Sequence, residues 1–243
     1  MVERLKGKIA LVVGAGSIGP GWGNGKATAV AFAREGAKIF CADINLAAAE
    51  ETARIIRSEG GEAVAHRADV SKAADVRAMV EACASAYDRI DVLDNNVGIA
   101  EIGGVVEISE ADWDRVFAVN LKSAYLTMKE AIPLMLRQGG GSIINISSIA
   151  SIRYTGVAYA TYYASKAALN QLTKTTAVDD QFDPGDVAAF VARKINRGPS
   201  DIPSVAAESH WHLPVARAPH LLDVASSIAF GEAGALLHHR RFH

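Results

Sequence analysis

Lys8-Ile-Ala-Leu-Val-Val13 runs straight into Gly14-Ala-Gly16-Ser-Ile-Gly19-Pro-Gly21-Trp-Gly23-Asn-Gly25-Lys26, and this stretch decides the fold. Its first part is apolar and rich in β-branched residues, as in a buried strand. A glycine-rich turn follows, and Asn24–Glu35 then carries helical periodicity, closed by Gly36. The same rhythm continues outward. Ala37–Ala42, Glu62–His66, Ile90–Asn95 and Ser142–Ser147 read as strands. Leu46–Ser58, Lys72–Tyr87, Ser109–Val119, Ala124–Arg137 and Tyr162–Ala177 read as helices. Strands alternating with helices of this length imply βαβ units, hence a parallel sheet covered on both faces. The expected fold class is α/β, a single doubly wound domain spanning residues 1–243. From about residue 179 to 243 the rhythm fades into an atypical C-terminal region, where only Ala188–Ile195 and Leu222–Phe230 look regular.

A strand, a glycine-rich turn and a helix in succession form the Rossmann-type dinucleotide-binding arrangement. Glycines let the backbone approach a pyrophosphate, and the helix N-terminus offers free N–H groups and the positive end of its dipole. Gly14, Gly16 and Gly19 spell G-x-G-x-x-G, a weak signal alone. Context strengthens it, because Asp43 ends the next strand at close to the roughly 20 residues expected for a carboxylate that accepts from an adenosine ribose. A carboxylate there favours NAD and repels the 2′-phosphate of NADP. No Arg or Lys lies in the turn before Lys26.

Tyr162 and Lys166 stand four apart on the last clear helix and so share a face. A free tyrosine titrates near ~10; a neighbouring ammonium stabilises its phenolate and suits it to take a proton from an alcohol or return one to a ketone. Ser147 and Ser148 end the preceding strand. In a doubly wound sheet the strand C-termini line the ligand crevice, so a serine there can meet the tyrosine and hydrogen-bond a substrate oxygen. Tyr159 and Tyr163 are rival tyrosines, but neither precedes a lysine by four.

These motifs, in this order, resemble the short-chain dehydrogenase/reductase family over about residues 5–178. The family's T-G-x-x-x-G-x-G turn is matched by Gly14 and best by Gly23 and Gly25, with Val13 in place of the threonine and an insertion of about five residues. This leaves open which glycines meet the pyrophosphate. The resemblance implies that Asp69 and Val70 hold the adenine ring. It also implies that Asn96 and Gly98, in the N-N-A-G-like Asn95–Gly98, support the cofactor. Ser148 takes the family's catalytic-serine place, with Ser147 a second candidate donor. Tyr162 becomes the acid/base, and Lys166 holds the nicotinamide ribose and lowers the tyrosine's pKa. Asn120 looks like the asparagine that bends a helix and holds a proton-relay water. The implied activity is NAD-dependent hydride transfer between a secondary alcohol and its ketone. A homodimer or homotetramer, built through Ala124–Arg137 and Tyr162–Ala177, is expected as well. Asp94 occupies a strand position that is usually apolar and needs a partner or solvent.

Half the residues are apolar, 21% are charged, and the net charge is −2. No basic footprint for nucleic acid or anionic membrane follows from this balance. No apolar run reaches the ~18 residues of a membrane span, and no apolar leader precedes the first strand. A cytoplasmic setting is the expectation. Cys41 and Cys83 fit no metal or redox spacing and read as small core residues. Six of the seven histidines lie beyond residue 200, without carboxylate or cysteine partners at ligand spacing, so no metal is expected. The competing function is a dinucleotide-binding protein with little turnover, its altered C-terminal region forming no substrate pocket. Candidate pocket segments are 100–106, 149–159 and the region after Val178.

Overall fold

A computed structural model describes residues 3–179 and 187–190. Six strands form one parallel sheet: β1 (Ile9–Val13), β2 (Lys38–Asp43), β3 (Ala63–Arg67), β4 (Val92–Asn95), β5 (Ser142–Ile146) and β6 (Val187–Phe190). Their order is β3-β2-β1-β4-β5-β6, the doubly wound arrangement in which the order reverses between β1 and β4. The helices are α1 (Asn24–Arg34), α2 (Leu46–Ser58), α3 (Ala73–Tyr87), α4 (Glu110–Phe117), α5 (Ser123–Arg137) and α6 (Ala160–Asp179).

β1 shows why a fully apolar strand was needed. Ile9, Leu11 and Val13 face a core shared with α3, α5 and α6, including Met79, Met135 and Leu169. Ala10 and Val12 face the opposite core with Phe32, Ala53 and Ile56 of α1 and α2. Period-2 alternation buries both sets because helices cover both faces. Cys41 and Cys83 are buried in these cores, and burial pushes both thiols up to about 12.

The sequence-derived boundaries hold within about two residues through α6, with one change of kind. The two helices expected around Asn120 are a single bent run, α4 passing through a π-helical turn at Ala118–Lys122 into α5. The π-turn accommodates an extra residue and rotates Asn120 inward. Of the two regular elements expected in the C-terminal region, the start of the first is β6, paired in parallel with β5. Residues 191–195, Leu222–Phe230 and the C-terminal histidines lie outside the described residues. No helix among the described residues is long and apolar enough to cross a membrane.

Candidate active site

The glycine turn closes over the C-terminal end of β1. Gly14 has φ +87°, and its N–H, like that of Ala15, donates to the Ala42 carbonyl of β2. A Cβ on Gly25 would sit 1.8 Å from the Gly14 carbonyl oxygen, so only glycine lets α1 start this close to the turn. Gly23 caps α1 and receives no Cβ freely, with Ser17 Oγ and the Gly16 carbonyl at 3.1 and 3.2 Å. Gly16 packs on Asp43 and Ala48, where a Cβ would meet Asp43 Oδ2 at 2.8 Å. By contrast, a Cβ on Gly19 would meet nothing, and Ile18–Trp22 is an exposed excursion. The packing therefore requires glycine at positions 16 and 25, crowds a side chain at 14 and 23, and leaves room for one at 19.

Asp43 stands at the end of β2 beside this turn. Its Oδ2 accepts from the Gly16 N–H at 2.9 Å and its Oδ1 from the Asn45 N–H at 2.9 Å. A carboxylate has about four acceptor positions, so two bonds fix its orientation and leave capacity for a ligand hydroxyl. Beyond β3, Asp69 accepts from the Ser71 hydroxyl and pairs with Lys72 at 3.1 Å. Those two contacts, Ser71 first, hold its carboxyl below the usual range. Val70 beside it is buried.

Across the switch point, β4, β5 and α6 bring the chemistry together. Lys166 is buried, and its Nζ donates to the Ile146 carbonyl at 2.7 Å. Desolvation lowers its pKa to about 8. A Cβ on Gly98 would lie 3.2 Å from that Nζ, so Gly98 clears room for the ammonium. Tyr162 lies beside it, with Nζ 5.8 Å from the ring centroid, and its hydroxyl makes no hydrogen bond to the described residues. Ser148 Oγ accepts from the Ala150 N–H at 3.1 Å, leaving its own proton to donate elsewhere. Ser147 is buried and gives its proton to the Lys166 carbonyl at 3.3 Å.

Asn120 is buried and fully committed. Its Oδ1 accepts from the Ile99 N–H at 2.8 Å, and its amide donates to the Ile99 carbonyl and to Ser165 Oγ. The side chain thus straps the segment after β4 to α6. Asn96 Nδ2 donates to Asp94 Oδ2 at 3.1 Å. That amide is the partner Asp94 requires, but it serves one oxygen only. Asp94 is fully buried, its Oδ1 lacks a partner among the described residues, and burial pushes its carboxyl up to about 7. Sequence reasoning also missed a buried polar ladder: Asn95 to Asn145 at 2.8 Å, Thr127 to Asn95 at 2.8 Å, and Asn145 to Thr173 at 3.0 Å. Two asparagines inside otherwise apolar strands were the available signal, since buried amides need partners.

The short chain dehydrogenase family model matches residues 8–183. The chain belongs to the short-chain dehydrogenase family. Within that family it is 42% identical, over 72% of its own length and 66% of the relative's, to an uncharacterised oxidoreductase of Thermotoga maritima. It is 35% identical to the cyclohexanol dehydrogenase of an Acinetobacter strain, covering 74% of this chain and 69% of that one. The chain thus spans about two thirds of the length of these curated relatives. A solved short-chain dehydrogenase/reductase from Burkholderia xenovorans superposes with TM-score 0.74 at 42% identity, over 77% of this chain and 75% of that one. A metagenomic short-chain oxidoreductase, solved in complex with NADP, gives TM-score 0.70 at 32% identity, over 84% of this chain and 90% of that one. Membership of the short-chain dehydrogenase family accords with the nucleotide-binding Rossmann-type fold of the sheet.

Proposed function

We propose that the chain uses NAD to interconvert a secondary alcohol and its ketone, with Tyr162 as acid/base. The observation that carries this reading is the sorting of hydroxyls at the switch point. Ser147 and Tyr163 spend their protons on backbone carbonyls, whereas the Ser148 proton and the whole Tyr162 hydroxyl meet no partner among the described residues, beside a buried lysine. The dinucleotide fits the turn, since glycine at positions 16 and 25 lets the turn pack directly against Asp43 and the start of α1, and Asp43 retains acceptor capacity for the adenosine ribose. Gly14, Gly23, Asp69, Val70, Asn96 and Gly98 complete the proposed binding set. One relative in structure carries NADP, but in this chain a carboxylate rather than a cation ends β2. Its charge opposes a 2′-phosphate.

When bound, the nicotinamide supplies or accepts the hydride. Tyr162 takes the hydroxyl proton of the alcohol, or gives one to the ketone oxygen. Ser148 donates to the same oxygen and stabilises charge that develops there. Lys166 has three donors and uses one on Ile146, so two remain to stabilise the Tyr162 phenolate and to hold ribose hydroxyls. Asn120 keeps α4, α5 and the segment after β4 in register with α6. Assembly as a homodimer or homotetramer is part of the proposal, supported by an apolar groove between α4, the π-turn and α6 lined by Phe117, Leu121, Tyr125 and Leu172. Tyr162→Phe tests the chemistry. Turnover of secondary alcohols should fall by the ~10²–10⁴-fold typical of a lost acid/base. Cofactor affinity should persist, and wild-type-like turnover would end the assignment.

A further inference from the structure

Between Ser148 and Tyr162 lies a stretch, residues 152–158, that is exposed throughout. Its start is tied through Ser151, which bonds the Ser148 carbonyl and receives Asn170 Nδ2 at 2.7 Å. Its end is tied by the bridge from Gly103 to Tyr159, with the Gly103 N–H donating to Ala158 at 2.7 Å. The middle is held by one atom, the Tyr163 hydroxyl oxygen. It donates to the Val157 carbonyl at 3.0 Å, accepts from the Thr155 N–H at 2.9 Å, and meets Thr155 Oγ1 at 2.7 Å. A phenol has one proton. With that proton on Val157, the threonine hydroxyl must be the donor, and the phenol oxygen is saturated. Gly156 lies between the two clamped residues at φ +92°, a conformation that brings the Thr155 N–H and Val157 carbonyl round to the same oxygen. The Tyr163 ring also packs on Tyr154 with centroids 5.7 Å apart.

The clamped stretch carries Ile152, Tyr154 and Val157, all exposed, and the segment bridged to it carries Ile102, Val105 and Val106, exposed up to 92%. Large apolar side chains left in water along both tied segments mark a surface that a ligand can cover. We propose that Tyr163 is a positioning residue whose hydroxyl clamps this loop, and that the loop and the 102–106 segment form an apolar rim for the hydrocarbon part of the substrate. The inference rests on the proposed alcohol/ketone reaction and adds the substrate's class, a secondary alcohol or ketone flanked by apolar groups. Tyr163 itself exchanges no proton with the substrate.

Two measurements test this on wild type and Tyr163→Phe, which keeps the ring and removes the clamp. The first is hydrogen exchange of the 152–158 backbone. Loss of the phenol oxygen should speed exchange at Thr155 about tenfold, the scale of one hydrogen bond. Unchanged protection overturns the clamp whether or not the protein turns over alcohols. The second is NAD-dependent oxidation of butan-2-ol, hexan-2-ol and octan-2-ol. In wild type kcat/KM should climb with chain length, about threefold or more per buried methylene. In Tyr163→Phe that climb should flatten through KM, with kcat within about twofold, the pH profile unmoved and NAD affinity unchanged. A Thr155→Val change should give part of the same KM effect, and Thr155→Ser little. Turnover without any chain-length dependence in wild type overturns the apolar rim. An equal fall in kcat across the series in Tyr163→Phe overturns positioning in favour of a direct chemical role. Failure of wild type to oxidise any of them, with exchange at Thr155 responding as expected, overturns the proposed reaction and leaves the clamp standing.

Discussion

Asp94→Val should make the protein more stable, and by an amount that grows with pH. Asp94 sits in β4 between Val12 of β1 and Ile144 of β5, residues of the core facing α1 and α2. Its Oδ2 has only the Asn96 amide and its Oδ1 has no partner among the described residues. The folded protein therefore holds the proton up to about pH 7, whereas an unfolded aspartate releases it near 3.8. Between those values the native state binds more protons than the unfolded state, so raising the pH destabilises the fold. The slope approaches ~1.4 kcal/mol per pH unit, so this one carboxyl should cost roughly 2.5 kcal/mol of stability between pH 5 and pH 8. Valine fills similar space, cannot ionise, and leaves the half-buried Asn96 amide to water. Urea unfolding of wild type and Asp94→Val at pH 5, 6, 7 and 8, followed by tryptophan fluorescence, gives the stability difference at each pH. Other titrations, those of the histidines included, are common to both proteins and cancel. The difference should widen with pH and level off above about 7. A constant gap, or one that narrows as pH rises, refutes the buried neutral acid.

The remaining expectations concern the site. Gly25→Ala places a methyl at 1.8 Å from the Gly14 carbonyl, so NAD(H) binding by calorimetry should be lost or weakened at least about a hundredfold, while Gly19→Ala should leave it unchanged. Asp43→Ala should narrow the NAD over NADP preference by weakening NAD, because it removes both the ribose acceptor and the opposing charge; an unaltered ratio of dissociation constants counts against its role. Ser148→Ala should lower kcat with little change in cofactor affinity, and Ser147→Ala should leave kcat near wild type. Light scattering should give a multiple of the 25.6 kDa chain mass, and Tyr125→Glu, in the groove between the helices, should shift it toward a single chain.

The sheet and its covering helices were legible because burial on two faces demands long apolar runs such as Lys8–Val13 and Ser142–Ile146, and few other arrangements use them. The Tyr162–Lys166 pair was legible for a similar reason, since a one-turn spacing on a helix fixes a shared face whatever surrounds it, whereas Asn120 stood out only through the family resemblance. The Asn120 site nevertheless looked like a gap between two helices, because a π-turn leaves no pattern of its own and is held by contacts to Ile99 and Ser165, far away in sequence. The glycine turn shows the limit most clearly. Sequence supplied two sets of glycines, and only the packing of α1 against Gly14 and of Gly16 against Asp43 decided which must lack a side chain.

Composition and order thus determined a doubly wound α/β chain with a dinucleotide turn and a Tyr-Lys pair, because these depend on local periodicity and on residues near one another along the chain. Tertiary structure decided which hydroxyls remain available. Ser147 and Ser148 are neighbours in sequence, as are Tyr162 and Tyr163, yet in each pair one proton is taken by a backbone carbonyl and the other meets no acceptor among the described residues. Hydrogen bonds between distant segments consume donors one at a time, and no pattern along the chain records where they go.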